Sequence, residues 1–245
     1  MTGQRVKPLF FYPPTSAVKP LLRIFFRLLY HQFAFTYDLV AATVSLGRWK
    51  EWILSVLPFI EGHRILEIGH GPGHLQRALQ DQSLDTFGLD ASPQMGQLAR
   101  QNLKRFIRSK TAESRNDKAS YVQINLTRGL SQNLPFPSGS FDTLVSTFPA
   151  EYIFDPKTLS EAQRVLTANG RFVILPGATI LGRGILDRAM ALLFRITGQK
   201  PPDLSEILQE RSREPFTHAG FDVEVHELNV KSSLVFILVA IKSFK

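Results

Sequence analysis

Ten residues constrain this chain more than any others: Ile65-Leu66-Glu67-Ile68-Gly69-His70-Gly71-Pro72-Gly73-His74. Arg64 to Gly69 (RILEIG) reads as a short buried β run, closed by a glycine-rich turn and followed by a helix from His74. Strand, glycine turn and helix in that order open an α/β sheet. Glycines at 69, 71 and 73 let the backbone approach a ligand with no Cβ in the way. The helix behind the turn directs its free N–H groups at whatever lies there. Such a turn does not choose its ligand, because dinucleotide-binding proteins have one too. Two details separate them. The spacing is G-x-G-x-G, without the last glycine of G-x-G-x-x-G. Glu67 also stands where an acid can face an ammonium group, whereas it would repel a pyrophosphate.

The alternation continues. Thr86–Asp90 is a second strand, and Ser92 can cap a helix that begins at Pro93, a residue suited to the first helical position. Met95, Leu98, Ala99, Leu103 and Phe106 share one face of that helix, while Arg100, Lys104, Arg105 and Arg108 lie mostly elsewhere, as a solvated face would. The polar residues 109–118 predict a loop. Ser120–Leu126 is a third strand with a run-on to Arg128, Phe141–Thr147 a fourth and Arg171–Leu175 a fifth. Asp155 and Pro156 open a helix between the last two. Residues 176–215 differ in kind, with Gly177, Gly182 and Gly184, an apolar helix near 185–196, a break at 198–202 and a second helix. Phe221–Val230 and Leu234–Lys242 are two antiparallel strands joined by a tight turn. The fold class that follows is α/β and Rossmann-like: a mostly parallel seven-stranded sheet, helices on both faces, and a C-terminal antiparallel hairpin.

Ahead of this domain (61–245, with a helical cap at about 176–215) lies a segment, 1–60, that is Pro-rich to residue 20 and helical from Lys19 to about Leu57. Leu21 to Val44 is long enough to cross a bilayer, yet Arg23, Arg27, His31 and Asp38 interrupt it, so helices are expected here and no span. MTGQRVKPLFFYPP carries prolines and aromatics where a secretory signal needs an unbroken apolar core. Arg23, Arg27 and His31 form one stripe, suited to peripheral contact with an anionic membrane or to a water-facing side of a packed helix. The chain has no cysteine. That excludes disulfides, thiolate zinc sites and cysteine nucleophiles, and fits a reducing, cytoplasmic setting. The net charge of +8 permits attraction to nucleic acid or lipid, although a solvated basic surface explains it as well.

Asp90 ends the second strand, where a carboxylate can accept both hydroxyls of a ribose. With that residue the chain resembles the class I S-adenosylmethionine-dependent methyltransferases, in particular the group that includes quinone and small-molecule methyltransferases. ILEIGHGPG is similar to the family's first motif and FGLDASPQM to its second. Residues 134–142 (LPFPSGSFD) resemble its LPF…SFD segment, and residues 164–171 (RVLTANGR) its RVL…GG turn. The resemblance implies S-adenosylmethionine as cofactor, with no metal. It places Glu67, Gly69 and Gly71 at the methionine end and Gly73 and His74 at the start of the flanking helix. Asp90 would then hold the ribose, with Ala91 and Met95 near the adenine. His70 and Thr147 complete the expected lining. Relatives often carry an acid before LPF that reads the adenine amino group; Leu130 stands in that slot here, followed by Ser131.

The reacting methyl is expected beyond the fourth strand, by residues 147–152. Methyl transfer to an acceptor that is already nucleophilic needs alignment and exclusion of water more than acid–base help. Were a base required, Glu151 is one candidate, with Tyr152, His70 and His31 behind it, so the catalytic residue stays open. An Asn/Asp-Pro-Pro-Tyr motif of the kind used on nucleic-acid amino groups is missing, which speaks against a nucleic-acid partner. A small apolar or amphipathic acceptor, such as a lipid, quinone or aromatic metabolite, is expected under the cap and N-terminal helices. The rival readings are a nucleic-acid methyltransferase, a non-catalytic S-adenosylmethionine-binding or membrane-surface module, and an NAD-dependent oxidoreductase.

Overall fold

The computed structural model describes residues 48–113, 123–180 and 213–243. The stripe of Arg23, Arg27 and His31, most of the N-terminal helical segment and the cap helices of 181–212 lie outside them. Twelve elements carry the description: α1 (Trp49–Leu54), β1 (Arg64–Ile68), α2 (His74–Asp81), β2 (Asp85–Asp90), α3 (Pro93–Glu113), β3 (Asn125–Arg128), β4 (Phe141–Thr147), α4 (Pro156–Val165), β5 (Leu166–Ile180), α5 (Arg213–His218), β6 (Phe221–Val230) and β7 (Ser233–Lys242). The sheet runs β3-β2-β1-β4-β5-β7-β6. β1 to β5 are parallel, and β7 runs antiparallel to both β5 and β6. Strand order reverses between β1 and β4, the crevice where open α/β sheets bind their ligands.

Alternation along each strand splits the core in two. Leu66, Ile68, Leu144, Phe172 and Ile174 face one side with α4 and α5. Ile65, Val145, Val173, Leu175 and Ile237 face the other with α1 and α2. Glu67, two residues from Ile65, is thereby driven into that second apolar layer.

Three expectations need correction. α3 continues to Glu113 where a loop was expected from Ser109. The hydroxyls of Ser109 and Thr111 turn back onto the carbonyls of Phe106 and Ile107 at 2.7 and 2.9 Å, and Lys110 pairs with Asp81 at 2.7 Å. Polar residues thus cover a helical backbone instead of replacing it. Of the expected third strand, residues 120–122 lie outside the described residues; within them the strand begins only at Asn125 and runs to Arg128, set by its register on Phe87–Asp90. The fifth strand reaches Ile180, past the point where the cap was expected to begin. Register slips between Ile174 and Gly177 against β7, so Pro176 sits in a bulge, where a missing N–H is tolerated.

The two downstream motifs meet in one clamp. Arg164 donates to the carbonyls of Leu134 and Phe136 at 2.9 and 2.7 Å and to Glu161 at 2.7 and 2.8 Å. Glu161 in turn accepts the Leu134 N–H at 2.6 Å. The clamp buries Leu134 and fixes the loop that leads from β3 past the site. Arg164→Met is expected to lower stability by about 1–2 kcal/mol, discounted because the ion pair is partly solvated. Urea unfolding measures it, and the loss should be less than additive with Glu161→Gln.

Candidate functional site

Gly69, Gly71 and Gly73 all take positive φ, at 76°, 50° and 85°. Each meets a different demand. A Cβ at Gly69 would fall 2.6 Å from the Tyr152 hydroxyl oxygen, and one at Gly73 would press on the Cβ of Ala99 at 3.1 Å. At Gly71 a Cβ would meet nothing within 4 Å, so that glycine faces open space while 69 and 73 make close approaches. Gly73 caps α2 in the left-handed region. Asn102 of α3 donates to the Pro72 carbonyl at 3.0 Å and holds the turn from behind.

Asp90 shapes the same turn. Its Oδ2 accepts the Gly71 N–H at 2.9 Å and its Oδ1 the Ser92 N–H at 2.8 Å. It lines a cleft of about 200 Å³ together with His70, Ser92, Pro93, Gly96, Arg100 and Arg128. A narrower neck of about 30 Å³, the share of one water, lies beyond it under Trp49 and Ile53 and over Glu67, Gly69, Gly71, His74 and Thr147. His70 borders both spaces. Its Nδ1 donates to the Gly71 carbonyl at 2.8 Å, because a carbonyl only accepts, and that leaves the lone pair on Nε2. Burial pulls its pKa below the usual range although Asp90 opposes this, so the ring is neutral.

Glu67 is 2% exposed. Gln76 of α2 donates one hydrogen bond to it at 2.9 Å and a second to the Phe87 carbonyl at 3.1 Å. Desolvation pushes the Glu67 carboxyl up to about 8, and the nearby Asp90 charge adds to the effect. A buried acid in an apolar layer is costly unless a cation compensates it, and this one opens on the neck.

The other expected residues divide. Thr147 and His74 line the neck. Ala91 is exposed, and its carbonyl accepts from Arg128 at 3.3 Å. Met95 is buried at 4%, beneath a cleft wall formed instead by Ser92, Pro93 and Gly96. Leu130 is 61% exposed. Ser131 is buried, and its hydroxyl is engaged with Thr158 at 2.9 Å, on the α4 side. Glu151 opens a short 3-10 helix, Glu151–Phe154, but its side chain is outside the description. Tyr152 is not disposed as a base: burial pushes its hydroxyl up to about 12, and it braces Gly69 from behind. Among the described residues no three His, Asp or Glu come together as a metal site, and no helix is long and apolar enough to cross a membrane.

Sequence reasoning placed residues 147–152 and the N-terminal helices at this end of the site but missed how they meet in a roof. Phe148, the residue after β4, has φ +50°, a strained state costing about 1–3 kcal/mol that tends to gather at functional sites. Its ring stacks on Trp49 with centroids 4.1 Å apart. Phe148 lies in the expected segment 147–152 and Trp49 in the expected N-terminal helices, but no sequence signal joined the two.

Comparison with known proteins adds the following. Residues 66–174 match the family described as a methyltransferase domain. The uncharacterized methyltransferase YcgJ of Bacillus subtilis (strain 168) is 31% identical over 114 residues, 46% of this chain and 40% of the relative. The ubiquinone/menaquinone biosynthesis C-methyltransferase UbiE of Geobacter sp. (strain M21) is 29% identical over 160 residues, 62% of this chain and 63% of the relative. The chain therefore spans less than two thirds of the length of these curated relatives. The solved structure of magnesium protoporphyrin IX methyltransferase (ChlM) from Synechocystis PCC 6803 with bound SAH has a TM-score of 0.57, covering 90% of this chain and 100% of that one at 15% identity. At that identity the likeness speaks for the fold.

Proposed function

We propose that this chain is a class I S-adenosylmethionine-dependent methyltransferase, a reading supported by the methyltransferase-domain match over residues 66–174 and the UbiE relative, and that it moves a methyl group onto a small apolar or amphipathic acceptor at the C-terminal ends of β1 and β4. The observation that carries the reading is Glu67, a buried carboxyl raised to about 8 beside a glycine turn whose middle residue faces open space. That pairing suits a ligand with a flat backbone contact and an ammonium group, whose charge would draw the buried carboxyl into its ionised form. S-adenosylmethionine, when bound, supplies a methyl group activated on a sulfonium centre.

The residues have separate tasks. Asp90 offers its remaining lone pairs to ribose hydroxyls while it holds Gly71 and Ser92. Glu67, positioned by Gln76, receives the ammonium. Ser92, Pro93 and Gly96 give the cleft a smooth wall for the nucleoside. Tyr152 stays protonated at neutral pH. His70 stays neutral. In this reading acceleration comes from alignment and exclusion of water.

For the acceptor, the apolar roof of Trp49, Ile53 and Phe148 supports an uncharged ring or chain. The UbiE relative is named for quinone biosynthesis, which makes quinone-like rings the first class to test and lipids the second. The test is incubation with trideuteromethyl S-adenosylmethionine and a cell lipid extract, followed by mass spectrometry. One apolar species should gain the labelled methyl group, and Asp90→Ala should not produce it. Label appearing only in nucleic acid or protein added in parallel would contradict the reading.

A further inference from the structure

Phe148 and Trp49 reach the site from distant parts of the chain. Phe148 adjoins Thr147, which lines the neck over Glu67. Its N–H donates to the Leu175 carbonyl at 2.7 Å, and with φ at +50° its ring is held in place by the end of the sheet. Trp49 covers one face of that ring, the planes 24° apart. Trp52 lies at the edge, 6.1 Å from Phe148 and 6.5 Å from Trp49. Its indole N–H is buried and finds no acceptor among the described residues, although Trp52 is 5% exposed.

Trp49, Trp52 and Phe148 pack into one apolar cluster, and two features of the group go beyond packing. The helix that brings both indoles is six residues long and has no side-chain cap, so it depends on that packing for its stability. A strained backbone holds the ring it covers. A buried donor with nothing to give to is costly, and a ligand oxygen would relieve it. Stacked aromatic faces with an adjacent donor match a flat ring that carries an oxygen.

Resting on the methyltransferase reading above, we propose that Phe148 is the acceptor-selecting surface: a planar, oxygen-bearing aromatic acceptor stacks on the face that Trp49 covers, Trp49 moves aside or closes over it, and the acceptor oxygen takes the Trp52 N–H. Phe148 and Trp52 are then positioning residues that set which molecule meets the methyl group, separate from the cofactor contacts at Glu67 and Asp90.

The test is calorimetry on the full chain saturated with S-adenosylhomocysteine, with 2-naphthol and naphthalene as probes. Phe148→Leu, which keeps the bulk and removes the π face, should weaken both probes at least tenfold. Trp52→Phe should weaken 2-naphthol about fivefold and leave naphthalene within twofold. Affinity for S-adenosylhomocysteine should stay within twofold throughout, which also shows that the variants fold. The proposal is overturned if Phe148→Leu leaves both probes unchanged, if Trp52→Phe treats the two alike, or if cofactor affinity falls in step with the probes. Wild-type protein that binds S-adenosylhomocysteine but neither probe overturns it too, while the cofactor reading survives. Wild-type protein that fails to bind S-adenosylhomocysteine contradicts the cofactor reading itself.

Discussion

Asp90→Ala is expected to weaken S-adenosylhomocysteine binding by roughly a hundredfold or more, the scale of losing charge-assisted hydrogen bonds to ribose hydroxyls. The same carboxylate holds the N–H groups of Gly71 and Ser92 at 2.9 and 2.8 Å. Its removal therefore frees the turn as well as the ribose contact. Asp90→Asn keeps one acceptor oxygen, so it should retain more of the folding stability than of the affinity. Calorimetric titration gives the affinity, and thermal denaturation gives the stability. If Asp90→Ala bound the ligand within fivefold of wild type, the nucleoside would have to lie elsewhere than in the cleft lined by Asp90, Ser92 and Gly96.

Glu67 makes the second large prediction, in two parts. Unfolded, it titrates near its ordinary value of 4.5; folded, burial holds it near 8. Between these values the folded chain carries a proton that the unfolded chain does not. The stability tied to that proton is fully present below about pH 4.5, declines as pH rises, and is gone above about 8. At about 1.4 kcal/mol per unit the span is on the order of 5 kcal/mol. Glu67→Gln should flatten this slope and be the more stable protein at pH 8.5. In binding the sign reverses. An ammonium placed beside Glu67 favours the carboxylate, so complex formation at pH 7 should release close to one proton, read from the dependence of binding enthalpy on buffer ionisation enthalpy. Glu67→Gln should release none and lose roughly ten- to a hundredfold in affinity, one to two units' worth of coupling. Equal proton release by both proteins would place the ammonium away from Glu67.

Much of this site was legible because short-range physics sets it. β4 runs Phe141–Thr147, as its buried apolar stretch implies. Asp155 caps α4 by accepting the Lys157 N–H at 2.9 Å, a relation contained within three residues. Asp90 is the last residue of β2 and the glycine turn follows β1 directly, so the strands that present them are read with them. What escaped depends on distance or on context. The end of α3 was hidden because Ser109 and Thr111 look like loop residues until their hydroxyls find carbonyls one turn back. Pro176-Gly177 reads as an ending, yet the β7 register absorbs it as a bulge. Met95 and Ser131 are local neighbours of the cleft whose side chains turn inward, one into the core and one toward Thr158. The Trp49–Phe148 stack joins residues far apart in the chain, and no pattern of periodicity encodes it. Leu130, an apolar residue in a slot where relatives often hold an acid, is left on the surface at 61% exposure.

The central claim is that Glu67, the glycine turn and Asp90 together make an S-adenosylmethionine site. The most direct measurement is calorimetric titration of the full chain with S-adenosylhomocysteine and, in parallel, with NAD+. The account predicts a single-site isotherm with micromolar affinity for S-adenosylhomocysteine and no heat from NAD+. Saturable NAD+ binding with no response to S-adenosylhomocysteine would contradict it.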